Sequence, residues 1–182
     1  FSVVNESDAA NHAGFSVWAD AQGVYVNLND SFIGVSFEGQ TESTSEITEA
    51  QIVAARLLTE MLRSRYSIAP ENCVTHAQVS VNPLNMLIAN HTDWAKGFPF
   101  AALGLPDNYT IALPSVYAFG FKFDDVFLKV SGGGWKGIEL AEDQLTRQAA
   151  AEQASPAQFR KILQHRYKEI AAELKSENEG GS

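Results

Sequence analysis

An α/β fold is predicted by three features of this sequence. Its first forty residues favour extended chain, with branched and aromatic residues between turn formers. A capped amphipathic helix follows at residues 48–66. The last third, residues 138–175, has helical periodicity in two pieces, a C-terminal helical extension.

In order along the chain, Ala13-Gly14 and Ala21-Gln22-Gly23 read as turns, with residues 10–18 loop-like around the first. Residues 24–28 alternate weakly as a strand would, and residues 31–39 (SFIGVSFEG) form a stronger strand candidate. Residues 41–45 are a polar linker. Thr48-Glu49-Ala50-Gln51 is a capping box, in which the hydroxyl and the amide each satisfy a free helix-start N–H. Ile52, Ala55, Leu58, Met61 and Leu62 then recur at spacings of three and four, one apolar face. Pro70 prevents helical continuation, and Cys73-Val74-Thr75 reads as a short buried strand ending on His76. A loop with Asn82-Pro83 leads to the polar cluster His91-Thr92-Asp93 and the aromatic segment Trp94 to Phe100.

Residues 105–129 are dense in rings, and Phe119, Phe121 and Phe123 alternate with the period of a strand. Such rings either line a sugar or peptide groove or pack a core or partner interface, the commoner role. The Gly132-Gly133-Gly134 run is a break, and Ser155-Pro156 caps the second C-terminal helix. Its expected apolar stripe is Phe159, Ile162, Leu163, Ile170 and Leu174, leaving Arg160, Lys161 and Lys168 in solvent. Residues 175–182 are expected to be a disordered tail. Two regions result: residues 1–105, and an aromatic and helical extension over 106–182.

Composition narrows the function. With 45% hydrophobic and 19% charged residues the chain is ordinary for a folded protein, and 182 residues suffice to bury a core. A net charge of −9 argues against nucleic-acid binding, which needs a basic stripe. No apolar run reaches the ~20 residues of a membrane span. The lone Cys73 forms no internal disulfide and reads as a small buried hydrophobe. The first six residues lack a basic region, so they read as an end left by processing rather than a signal peptide.

An imidazole at a strand end and a carboxylate in the next loop offer N and O donors of the kind zinc takes. On spacing alone, His76 is more often a hydrogen-bonded core residue. The surrounding motifs carry more. Asn11-His12-Ala13-Gly14, then Asn29-Asp30-Ser31-Phe32-Ile33-Gly34-Val35-Ser36-Phe37-Glu38-Gly39, then Thr75-His76, His91-Thr92-Asp93-Trp94 and Phe98-Pro99-Phe100 occur in this order. In order and approximate spacing, residues 9–105 resemble the zinc-dependent N-acetylmuramoyl-L-alanine amidase family (amidase type 2), which shares its fold with peptidoglycan recognition proteins. The resemblance implies a central mixed β-sheet flanked by helices. It implies zinc-dependent cleavage of the amide between N-acetylmuramic acid and L-alanine in peptidoglycan, in the cell envelope, periplasmic or secreted. His76 and Asp93 would be zinc ligands. His91, standing where the family usually has Lys, and Glu38 would be catalytic. His12, Ser36 and Trp94 would meet the peptidoglycan or muropeptide substrate.

Several positions depart from the family pattern. The loop between His76 and Asp93 is longer, Trp94-Ala95 replaces Pro-Gly, and Ser36 stands where the family often has its catalytic Glu. The family's third ligand is a His well upstream of His-Ala-Gly, whereas no His occurs among the eleven residues before His12. The expectation is therefore a second polypeptide, from a precursor cleaved within the domain, that supplies the front half. The alternatives are a front half lost from the sequence, or a relative that never binds zinc and serves as a non-catalytic peptidoglycan-binding or assembly subunit.

Overall fold

The computed structural model describes residues 11–39 and 47–180. The polar linker expected at 41–45 and the processed end expected at the first six residues lie outside them. Four short strands are present: β1 (Val17–Ala19), β2 (Val24–Val26), β3 (Val81–Asn82) and β4 (Leu87–Ile88). Strands β1 and β2 pair antiparallel with Val17 opposite Val26, and β3 and β4 with Val81 opposite Ile88. A single antiparallel bridge, Ser16 to Ser80, joins the two pairs, and a parallel one, Leu87 to Lys122, joins β4 to the segment around Lys122. The expected α/β arrangement is present, its sheet portion made of two short hairpins linked by one rung, with helices around them.

Six helices accompany the strands: α1 (Glu49–Tyr66), α2 (His76–Val79), α3 (Pro114–Tyr117), α4 (Asp125–Val130), α5 (Lys136–Ala151) and α6 (Pro156–Gly180). The capping box of α1 forms as expected: the Gln51 N–H donates to Thr48 Oγ1 at 3.2 Å, and the Thr48 N–H to Gln51 Oε1 at 3.0 Å. Ala55 is buried and Ile52, Leu58 and Leu62 are half-buried, but Met61 is 61% exposed with Val53 and Leu57 on the outer side. Helix α1 therefore rests on the chain mainly through Ala55 and Ile52, which pack with Phe100, Leu103 and Leu105.

Four local expectations are revised. Residues 32–37 carry no strand, and Ile33 and Val35 are exposed: no strand among the described residues pairs with them, and unpaired extended chain leaves its backbone to water. Val17 and Trp18, expected in a loop, belong to β1. His76 begins a one-turn helix instead of ending a strand. The Thr75 N–H is taken by the Gln78 carboxamide, a second capping box that turns the chain at this point. Helix α6 runs to Gly180 where a disordered tail was expected.

One hydrophobic core draws on both sides of residue 105, from Val17, Trp18 and Val81 to Phe119, Phe121, Trp135, Leu145 and Tyr167. Of the rings in residues 105–129, Phe119, Phe121 and Phe127 are buried in this core and Tyr109, Tyr117 and Phe123 pack against it. Only Lys122 of the alternating run pairs with a strand, and the Ile88 N–H donates to its carbonyl at 2.7 Å. On α6, Leu163 and Tyr167 face inward while Ile162 is exposed. Arg160, expected in solvent, instead donates to the Phe121 carbonyl at 2.7 Å and pairs with Glu142, tying α6 to α5 and to the extended segment.

Helix α5 abuts the chain just ahead of α3 so closely that no side chain fits between them. A Cβ on Gly137 would lie 1.9 Å from the Ile111 carbonyl oxygen, and the Leu113 N–H donates to the Gly137 carbonyl at 3.0 Å. Gly137→Ala is therefore expected to destabilise the protein by roughly 1–3 kcal/mol through overpacking against backbone. Urea unfolding reads this directly; an unchanged midpoint would show that the contact is not tight.

Candidate metal centre

His76 and Asp93 lie 17 residues apart in sequence, and their side chains meet: Nδ1 of His76 is 3.0 Å from Oδ2 of Asp93. His91 joins them, its ring stacked on that of His76 with centroids 4.7 Å apart and planes 17° from parallel. One ligand atom from each of His76, His91 and Asp93 lies within 4.8 Å of the others. Composition and spacing do not show that His91 would stand this close to His76, because the contact depends on how the β3–β4 hairpin folds back.

Both loops are fixed by residues beyond 105. Ahead of His76, the buried Asn108 side chain donates to the Pro70 and Cys73 carbonyls, each at 2.8 Å, and the Gln78 amide donates to the Asn108 carbonyl at 2.9 Å. Beyond Asp93, the Tyr109 hydroxyl donates to the Trp94 carbonyl at 2.6 Å and the Trp135 indole to the Ala95 carbonyl at 2.8 Å. These two rings stack on each other at 5.4 Å. Burial pushes the Tyr109 hydroxyl pKa up to about 12, so it remains a donor. Trp94 holds a positive φ of 58°, costly for a bulky residue, and the bond from Tyr109 helps hold it there.

The His76 ring is constrained at both nitrogens. Nε2 lies 3.3 Å from the Ala13 carbonyl oxygen, so both ring nitrogens face groups that only accept. A neutral ring carries a single proton, so one of its nitrogens must turn a lone pair toward an acceptor. Two acceptors held 3.0 Å apart repel unless a cation lies between them, a proton or a metal ion. A backbone carbonyl on the far ring nitrogen is also the usual support of a metal-bound histidine. Their spacing approaches the ~3.3 Å edge of a zinc tetrahedron with bonds of about 2.0 Å. Two imidazoles and one carboxylate form a donor set that zinc accepts, so these residues fit the ion that the resemblance implies.

The remaining expected site residues separate into two groups. Ser36 and Trp94 line, with His76 and Asp93, a cleft of about 1490 Å³ whose wall also includes Phe37 and Phe98. The rings of Phe37, Trp94 and Phe98 meet edge to face at 5.4–6.4 Å. His12 and Glu38 are not part of that lining. His12 is half-buried; its Nε2 lies 3.0 Å from the Phe32 carbonyl oxygen and its N–H donates to Asn29 Oδ1. Glu38 is exposed, and its carbonyl accepts from the Gln51 amide at 2.8 Å. Cys73 is half-buried against the α1 cluster, and burial raises its thiol pKa.

The contact with Asp93 raises the His76 pKa above the ordinary imidazole value, burial opposing it, and the contact with His76 lowers that of Asp93. For His76 the added stability is complete below the unfolded value of about 6.5 and is lost as pH rises through the folded one. For Asp93 it is present above about 3.9 and is lost as pH falls through the depressed folded value. In metal-free protein, Asp93→Asn should therefore cost most between about pH 4 and 6.5. The cost should stay within about 1 kcal/mol, because both side chains are partly exposed and screened. Urea midpoints measured across pH check this, and a gap independent of pH would contradict the pairing.

The comparisons with known proteins agree with this geometry. The family described as N-acetylmuramoyl-L-alanine amidase matches residues 1–96. The N-acetylmuramoyl-L-alanine amidase AmiD of Escherichia coli (strain K12) is 34% identical over 87 residues, 44% of this chain and 30% of that protein. The match thus spans less than a third of that relative's length. No solved structure matches the chain significantly. Matched over more than half of its 182 residues, the chain belongs to the N-acetylmuramoyl-L-alanine amidase family.

Proposed function

We propose that this chain is a zinc-dependent peptidoglycan amidase, cleaving the amide between N-acetylmuramic acid and L-alanine in the cell envelope, periplasmic or secreted. The observation that carries this reading is the His76–Asp93 pair, an imidazole nitrogen and a carboxylate oxygen 3.0 Å apart with the far ring nitrogen facing the Ala13 carbonyl. His76 and Asp93 would hold the ion. When bound, zinc supplies Lewis acidity to the scissile carbonyl and activates water as the nucleophile. With the ion on Nδ1, the Ala13 carbonyl would accept from a protonated Nε2 and orient the ring. Phe37, Trp94 and Phe98 give the cleft an aromatic wall against which the apolar face of a sugar ring or the stem peptide packs. Ser36 lies in the same wall as a hydroxyl for hydrogen bonding.

A second reading, a peptidoglycan-binding module without turnover, is favoured by one observation. Ser36 lines the cleft at the position where the resemblance leads one to expect a catalytic Glu, and Glu38 does not line it. Digestion of purified sacculi separates the two. The amidase reading predicts release of peptides with a free L-alanine amine, and arrest by a chelator with recovery on adding zinc. His76→Ala and Asp93→Ala should each lower the rate by more than ~100-fold, beyond the effect of losing an outer-shell partner of a metal. Muropeptide binding with no released peptide at saturating zinc would replace this reading with the second.

A further inference from the structure

We propose that His91 is the third protein ligand of the metal centre, so that His76, His91 and Asp93 hold zinc without a histidine from upstream. The inference rests on the zinc reading above and identifies the donor that the sequence pattern leaves unassigned.

Three observations carry it. The His91 ring lies face to face with that of His76, and one ligand atom of each shares a 4.8 Å sphere with a carboxylate oxygen of Asp93. Among the described residues no hydrogen bond takes either ring nitrogen of His91, so both remain available, in contrast to His76 and His12. Its backbone is nevertheless fixed. The His91 N–H donates at 2.9 Å to Oγ of Ser80, a fully buried residue at the bridge joining the two hairpins. A turn closed by the Ala95 N–H on the Thr92 carbonyl carries Asp93 directly after it. Position 91 is therefore anchored while its exposed side chain is free to swing. The three ligand atoms lie within 4.8 Å of one another, against the ~3.3 Å edge of a zinc tetrahedron.

The competing role for His91 is that of a cation beside the substrate, as expected for the residue two before the ligand Asp. Substitution separates the two. Zinc content by equilibrium dialysis and the visible spectrum of the cobalt(II) protein are measured for wild type, His76→Ala, His91→Ala, His91→Lys and, as a distant control, His165→Ala, with circular dichroism reporting the fold. The ligand role predicts about one equivalent of metal in wild type and in His165→Ala. In both His91 variants it predicts an affinity loss beyond the ~10–100-fold typical of outer-shell changes, and weakened cobalt bands. Retention of wild-type affinity and cobalt bands in both His91 variants, with loss in His76→Ala, would overturn the inference and leave the zinc reading standing. Wild-type protein that binds no zinc would overturn both. Should the variants not fold, the wild-type cobalt protein still decides by proton NMR. Two strongly shifted exchangeable imidazole signals support His91 as ligand, and a single one contradicts it.

Discussion

The centre depends on a clamp made by two consecutive residues and one indole. Asn108 and Tyr109 sit on the same short 3-10 turn, Asn108–Thr110; the first holds the chain ahead of His76 and the second the chain beyond Asp93. Trp135 stacks on Tyr109 and takes the adjacent carbonyl of Ala95. Each such bond is worth about 1 kcal/mol net, and leaving a buried carbonyl unmade costs more. Together they set where the two loops end, and so whether an imidazole and a carboxylate can meet. Residues 106–182, which lie beyond the family match, thereby act as the support of the site. Gly137 is part of the same support, because only a residue without a side chain lets α5 approach the Tyr109–Ile111 backbone.

From that support follows the electrostatics of the site. Both ring nitrogens of His76 face acceptors, the Ala13 carbonyl and the Asp93 carboxylate. In water such a pair would separate or take up a proton; held by packed loops it is ready for a cation. Partial exposure serves the same end, since an ion and its substrate must reach the site from the cleft.

What could be read in the sequence was what is local. The Thr48 capping box, the two C-terminal helices and the Ser155-Pro156 start all follow from spacing within a few residues, and all are present. The order of the His-Ala-Gly, Ser-Phe-Ile-Gly and His-Thr-Asp segments carried the family. What escaped is set at long range. The strand expected at 31–39 needed a neighbour that the described residues do not supply, and local propensity carries no information about neighbours. His76 was read as a strand end because Cys73-Val74-Thr75 favours extended chain, but the Thr75 and Gln78 side chains turn it into a helix start. Arg160 looked like one more exposed cation until α6 packed over the Phe121 carbonyl. The rings of Tyr109 and Trp135 were visible as aromatics, but their partners lie 15 and 40 residues away.

The most direct measurement is an anomalous difference map at the zinc edge from crystals of this chain grown with zinc. The account predicts one strong peak between His76 and Asp93, about 2.0–2.2 Å from the donor atom of each. A map with no peak there, the two side chains still bonded to each other at 3.0 Å, would contradict it.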